Sequence, residues 1–162
     1  MNNIEYYTLC DIRQLQYQKV RFYTICEDRE GIAHKLFTDF IKNIKNEDAQ
    51  EIIKMLEKIG TKYGAREIFF RPEKRAHALP SGKVNFININ KDLRLYCLRI
   101  NENSVVLFRG GYKDSQSAQE SQISYYFYEA NKFAKKIDDA IKEGFIKFDK
   151  NNFLTWDEDL LL

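Results

Sequence analysis

Residues 93–113, LRLYCLRINENSVVLFRGGYK, constrain the fold more than any other stretch of the chain. Two runs rich in aliphatic and aromatic residues flank the polar triplet Asn101-Glu102-Asn103. That pattern predicts two adjacent antiparallel strands joined by a short turn. The same hairpin carries Arg94, Arg99, Arg109 and Lys113. Long cationic side chains gain little from a half-buried sheet surface, so their gathering on one sheet points to a surface that receives phosphate.

The remaining elements follow from hydrophobic periodicity. Residues 19–26, KVRFYTIC, predict a first strand. Over residues 30–45, Ile32, Ala33, Leu36, Phe37, Phe40, Ile41 and Ile44 fall on one face of an amphipathic helix. Asn46 offers an N-cap for a second helix, whose stripe Ala49, Ile52, Ile53, Leu56 and Ile59 stops at Gly60. Residues 66–71 suggest a short strand, and residues 72–83, with both prolines, a loop. Residues 84–90, VNFININ, alternate well enough for a strand, although Ile87 breaks the pattern. After the hairpin, Ser117 and Glu120 have capping-box spacing. A third helix follows, carrying Ile123, Tyr126, Phe127, Ala130, Phe133, Ala134, Ile137 and Ile141 on one face and ending at Gly144. Consecutive strands after a helical hairpin predict an α+β domain over residues 1–144: an antiparallel sheet with helices on one face and the other face free. Residues 145–162 form a C-terminal extension that ends in three leucines.

Composition bounds the function. The chain of 162 residues is 44% hydrophobic and 31% charged, which suits one globular domain. Its apolar runs fall short of the roughly 20 residues needed to cross a bilayer, and the N-terminus lacks the pattern of a signal peptide. A cytoplasmic location is expected, with no membrane partner. Cys10, Cys26 and Cys97 are odd in number and widely spaced, so they read as reduced thiols. Neither a metal site nor a cofactor is expected from them. Net charge is only +2 but unevenly spread: residues 66–113 hold ten Lys/Arg against four Asp/Glu, and residues 114–162 hold six against ten. A local anionic ligand fits that polarity better than general adhesion to nucleic acid.

The helical stripe ending in MLEKIGTKYG, the arginine strand LRLYCLRI and the segment VVLFRGGYKD, in this order and spacing, resemble the RelE/ParE superfamily of toxin–antitoxin toxins, within it the HigB and phage Gp49-like branch. The resemblance runs from about residue 19 to residue 144. It implies a small curved antiparallel sheet backed by two N-terminal helices and followed by a C-terminal helix. It also implies a toxin that cuts mRNA, on or off the ribosome, and is silenced by a helix-turn-helix antitoxin. The alternative it implies is a noncatalytic protein on the same fold that binds a protein target such as gyrase. By position, Arg94 falls where the family has an arginine that contacts the scissile phosphate, and Lys113 at the family's lysine after the fourth strand. Arg109 falls where HigB-like members carry a histidine or another polar residue. The family's Lys-x-Lys pair is absent, since VNFININ has asparagines there, and Asp114 follows Lys113.

Metal-free RNA cleavage needs a base for the 2′-OH, cations on the phosphate and an acid for the 5′-oxygen. Arg94, Arg109 and Lys113 are the candidate phosphate contacts, and Tyr112 or His77 the candidate acid/base. Strand alternation places Arg94 and Tyr96 on one face and Arg99 on the other with Leu95 and Cys97. Arg99, Lys91, Lys74, Arg75 and His77 complete the expected RNA-contacting set.

Overall fold

The structure, a computed structural model, describes residues 5–113 and 117–162, the side chains of residues 5 and 117–121 excepted. The chain runs β1 (Glu5–Gln16), β2 (Arg21–Arg29), β3 (Ile32–Lys35), α1 (Leu36–Asn43) and α2 (Asn46–Lys58). It continues through β4 (Arg71–Glu73), β5 (Ala76–Leu79), β6 (Leu93–Asn101), β7 (Ser104–Tyr112), α3 (Ser117–Lys142), β8 (Ile146–Phe148) and β9 (Leu154–Trp156). Seven strands form one sheet in the order β1-β2-β7-β6-β5-β4, with β3 pairing the far end of β2, while β8 and β9 make a separate hairpin. All pairs in the large sheet are antiparallel except β2–β7, where Arg21–Thr24 run parallel to Ser104–Leu107.

This corrects the expected architecture. The sheet is large and mixed, strands precede the helices, and both faces are covered. On one face α1 and α2 bury Phe37, Phe40, Ile52, Met55 and Leu56 against Phe22, Leu95, Cys97, Val105 and Leu107. On the other, α3 lays Ile123, Ala130, Phe133, Ala134 and Ile137 over Leu9, Tyr23, Ile25, Tyr96, Leu98, Val106 and Phe108. A strand buried on both faces needs apolar side chains at consecutive positions, which is what Val105-Val106-Leu107-Phe108 supply.

Several segments differ from their sequence expectations. Where residues 66–71 suggest a strand, Glu67–Phe69 form a 3-10 turn, and the expected loop at residues 72–83 carries β5 and most of β4. Three further segments differ as follows. Glu30 and Gly31 both take positive φ (53° and 80°) and so form a two-residue hairpin turn. Ile32 and Ala33 therefore pair with Arg29 and Asp28 in β3, and α1 starts only at Leu36. Thr24, fully buried on β2, anchors that start: its hydroxyl donates to Leu107 O and accepts the Phe37 N–H. The second helix does not stop at Gly60. It widens into a π-turn over Ile59–Tyr63 and ends at Gly64, whose φ is +76°. Gly60 instead admits the Tyr17 side chain so closely that a Cβ would lie 2.1 Å from the ring. Residues 84–90 form no strand; Val84, Phe86, Ile87 and Ile89 pack singly against the α1/α2 core.

The β6–β7 hairpin and the stripe of α3 match the sequence reading, and Gly144 (φ +82°) follows α3. The side chains of Ser117 and Glu120 lie outside the described residues. The C-terminal segment packs on the body: Ile146 and Leu154 join the core under α3, and the Leu162 N–H donates to Tyr7 O at 2.9 Å.

Candidate functional site

Cross-strand pairing assembles the site. Arg71 on β4 lies opposite Ala78 on β5, and Ala78 opposite Tyr96 on β6. Directly paired residues project to one side of a sheet, so Arg71 shares a face with Tyr96 and with Arg94 two residues earlier. Residues 80–91 pass beside them. Ser81 is tied down through its N–H to Phe69 O and its hydroxyl to Ile68 O; Phe86 O accepts Lys58 Nζ, and the Asn88 N–H donates to Glu51. The result is a cleft of about 450 Å³ whose lining includes the cations Arg71, Lys91 and Arg94 together with the apolar Pro80, Val84, Ile87 and Ile89.

Among the described residues no carboxylate forms an ion pair with Arg71, Lys91 or Arg94. Arg94 is half-buried, and its Nη1 donates to Lys91 O at 2.6 Å and Leu93 O at 3.1 Å. Those bonds fix one edge of the guanidinium. Burial, and then the like charge of Arg71, pull its pKa below the usual arginine value, with Tyr96, Glu73 and Asp92 acting the other way. Two like charges held together in a partly dry cleft favour an anion between them. Lys113 is exposed, and its N–H bonds Asp92 O at 2.6 Å, which brings the end of β7 alongside the Lys91–Asp92 turn.

The structure thus gathers Arg94, Lys91 and the Lys113 backbone at one end of the sheet. It engages the other sequence candidates elsewhere. Arg109 sits at a bulge opposite Tyr96, where the β6–β7 register shifts. Its Nε and Nη2 hold both oxygens of Glu129 on α3, Asp39 lies 3.8 Å from its Nη1, and burial notwithstanding, Glu129 drives its pKa up. Tyr112 donates to Asp48 and accepts the Lys45 N–H at 2.9 Å. Burial and that bond to Asp48 push its pKa up to about 12. A phenol so held is a clamp between β7 and α2 and a poor base. Arg99 binds Ala65 O at 2.6 Å and Glu67 at 3.6 Å. His77 accepts the Arg99 N–H on Nδ1, and burial with the Arg99 charge lowers its pKa. Arg75 pairs with Asp138 at 3.4 Å, and Lys74 lies 5.7 Å from the Phe127 ring centroid.

Arg71 escaped the sequence reading because it sits outside any motif. The signal was topological: only the β4–β5–β6 pairing carries it to Arg94. Among the described residues no group of three or more His, Cys, Asp or Glu is placed to hold a metal, and no helix is long and apolar enough to cross a membrane. No family model, curated protein or solved structure matches the chain. The likeness to RelE/ParE toxins therefore rests on the local motifs alone, on a fold that differs from theirs.

Proposed function

We propose that the chain binds RNA and does not cut it, taking a phosphodiester between Arg71, Lys91 and Arg94. The observation that carries this reading is the convergence on one cleft of three cations that have no ion-pair partner among the described residues. Phosphate is the anion that arginine pairs grip best, through forked N–H donors. The apolar lining residues Pro80, Val84, Ile87 and Ile89 offer a base or ribose a surface to lie against. Among the described residues the lining has no carboxylate or imidazole, the Ser81 hydroxyl is bonded to Ile68 O, and Lys91 is its one amine, which leaves no partner to act as the second member of an acid/base pair. Cleavage needs such groups, whereas binding does not. An RNA ligand suits a cytoplasmic protein. The wider toxin role, with ribosome-bound mRNA as substrate and a helix-turn-helix antitoxin as partner, is an expectation carried by the motif resemblance.

The test is anisotropy of a labelled single-stranded RNA, with a gel of the same sample. Wild type binds and the RNA stays intact; Arg71→Ala and Arg94→Ala each weaken binding by about tenfold. Cleavage that Arg94→Ala abolishes would restore the nuclease reading. Equal binding by wild type and both variants removes the cleft from consideration.

A further inference from the structure

A second concavity, of about 590 Å³, lies between the end of α3 and the segment after β9. Its floor is apolar: Phe145, Leu160 and Leu161 line it, and Phe145 and Leu161 remain 57% and 58% exposed. Large apolar side chains left this open beside one another mark an interaction surface more often than chance exposure. The floor is built and held. Leu160 and Leu162 pack against the core under α3, and the Leu162 N–H is bonded to Tyr7 O. A turn closed by the Leu160 N–H on Asp157 O and the Asp159 N–H on Asp157 Oδ1 sets Leu161 in place.

The rim is predominantly acidic. Asp139, Glu143, Asp157 and Asp159 line the groove with Lys136 as the only cation among its lining residues. Lys135 neutralises Asp139 at 2.9 Å, but among the described residues no ion pair engages Glu143, Asp157 or Asp159. An apolar trough with an unpaired acidic rim selects an occupant with apolar anchors and flanking Lys or Arg. The same rim repels nucleic acid and anionic lipid.

We propose that this groove docks a basic amphipathic segment of a partner protein. The proposal is independent of the RNA cleft, with which it shares no residue. The test uses two labelled synthetic peptides of one amphipathic pattern, Leu/Lys and Leu/Glu, titrated with the full chain. The Leu/Lys peptide binds more tightly than Leu/Glu by about tenfold or more at low salt, and the preference shrinks as salt rises. Leu161→Asp, at an exposed position that leaves the fold intact by circular dichroism, abolishes binding. The triple change Glu143→Lys, Asp157→Lys and Asp159→Lys reverses the preference. Equal binding of the two peptides, or Leu/Lys binding that survives Leu161→Asp, overturns the proposal. So does concentration-dependent dimerisation of the chain that Leu161→Asp removes, because the groove would then belong to a second copy.

Discussion

Arg109 reaches Glu129 through two nitrogens, and Glu129, on α3, is buried at 7% exposure. Arg94, fifteen residues earlier on the facing strand, holds only backbone carbonyls. The two arginines therefore respond differently to truncation. Arg109→Ala strands a buried carboxylate and costs about 3 kcal/mol of stability. Arg94→Ala removes hydrogen bonds at a half-buried edge and costs less than about 1 kcal/mol, while weakening RNA binding. Denaturant midpoints for the two variants, set beside their RNA affinities, check this division. Arg109 lowering affinity without lowering stability would reverse the assignment. Which hairpin cation faces ligand was not legible in the sequence, because it depends on a carboxylate twenty residues downstream and on a bulge that re-aims Arg109.

At the scale of elements, Gly110 and Gly111 are packing devices with different tolerances. A Cβ on Gly110 would lie 1.8 Å from Arg94 O, a backbone atom of the paired strand, so β6 and β7 would have to separate. On Gly111 the nearest atoms, from Ile123 and Tyr126, are 3.8 Å away, which is ordinary contact. Gly110→Ala should destabilise by about 3 kcal/mol and disturb the Arg94 edge of the cleft, whereas Gly111→Ala should be tolerated to within about 1 kcal/mol. Thermal midpoints of the two proteins decide, and equal midpoints would contradict the packing account. Elements with a long regular period were readable: α3 shows its stripe over several turns, and the β6–β7 hairpin shows its turn. Short or interrupted ones were not. Ile32 and Ala33 fit a helical stripe by spacing but are drawn into β3 by the turn at Glu30-Gly31. The pairing of β1 shifts register between Asp11 and Gln16, and β1 was absent from the sequence reading. Val84, Phe86 and Ile89 alternate like a strand yet serve as separate plugs in the core.

For the whole molecule, the decisive feature is non-local. Pairing β2 in parallel with β7 brings Arg21–Thr24 beside Ser104–Leu107, across some eighty residues that no local pattern bridges. With β2 and β7 central, both faces of the sheet are apolar and α3 covers what would otherwise be open. The free basic face of the sequence reading is thereby replaced by a cleft at the sheet's end. The uneven charge has a place in this picture: cations collect at that cleft and carboxylates at the groove beside the end of α3. The most direct test of phosphate recognition is the salt dependence of RNA affinity. If Arg71, Lys91 and Arg94 together hold one phosphodiester, they contribute about −0.7 to the log–log slope for single-stranded RNA, and each alanine substitution lowers the magnitude of that slope. A slope unchanged by Arg71→Ala, Lys91→Ala and Arg94→Ala, in folded proteins that still bind, would contradict the account.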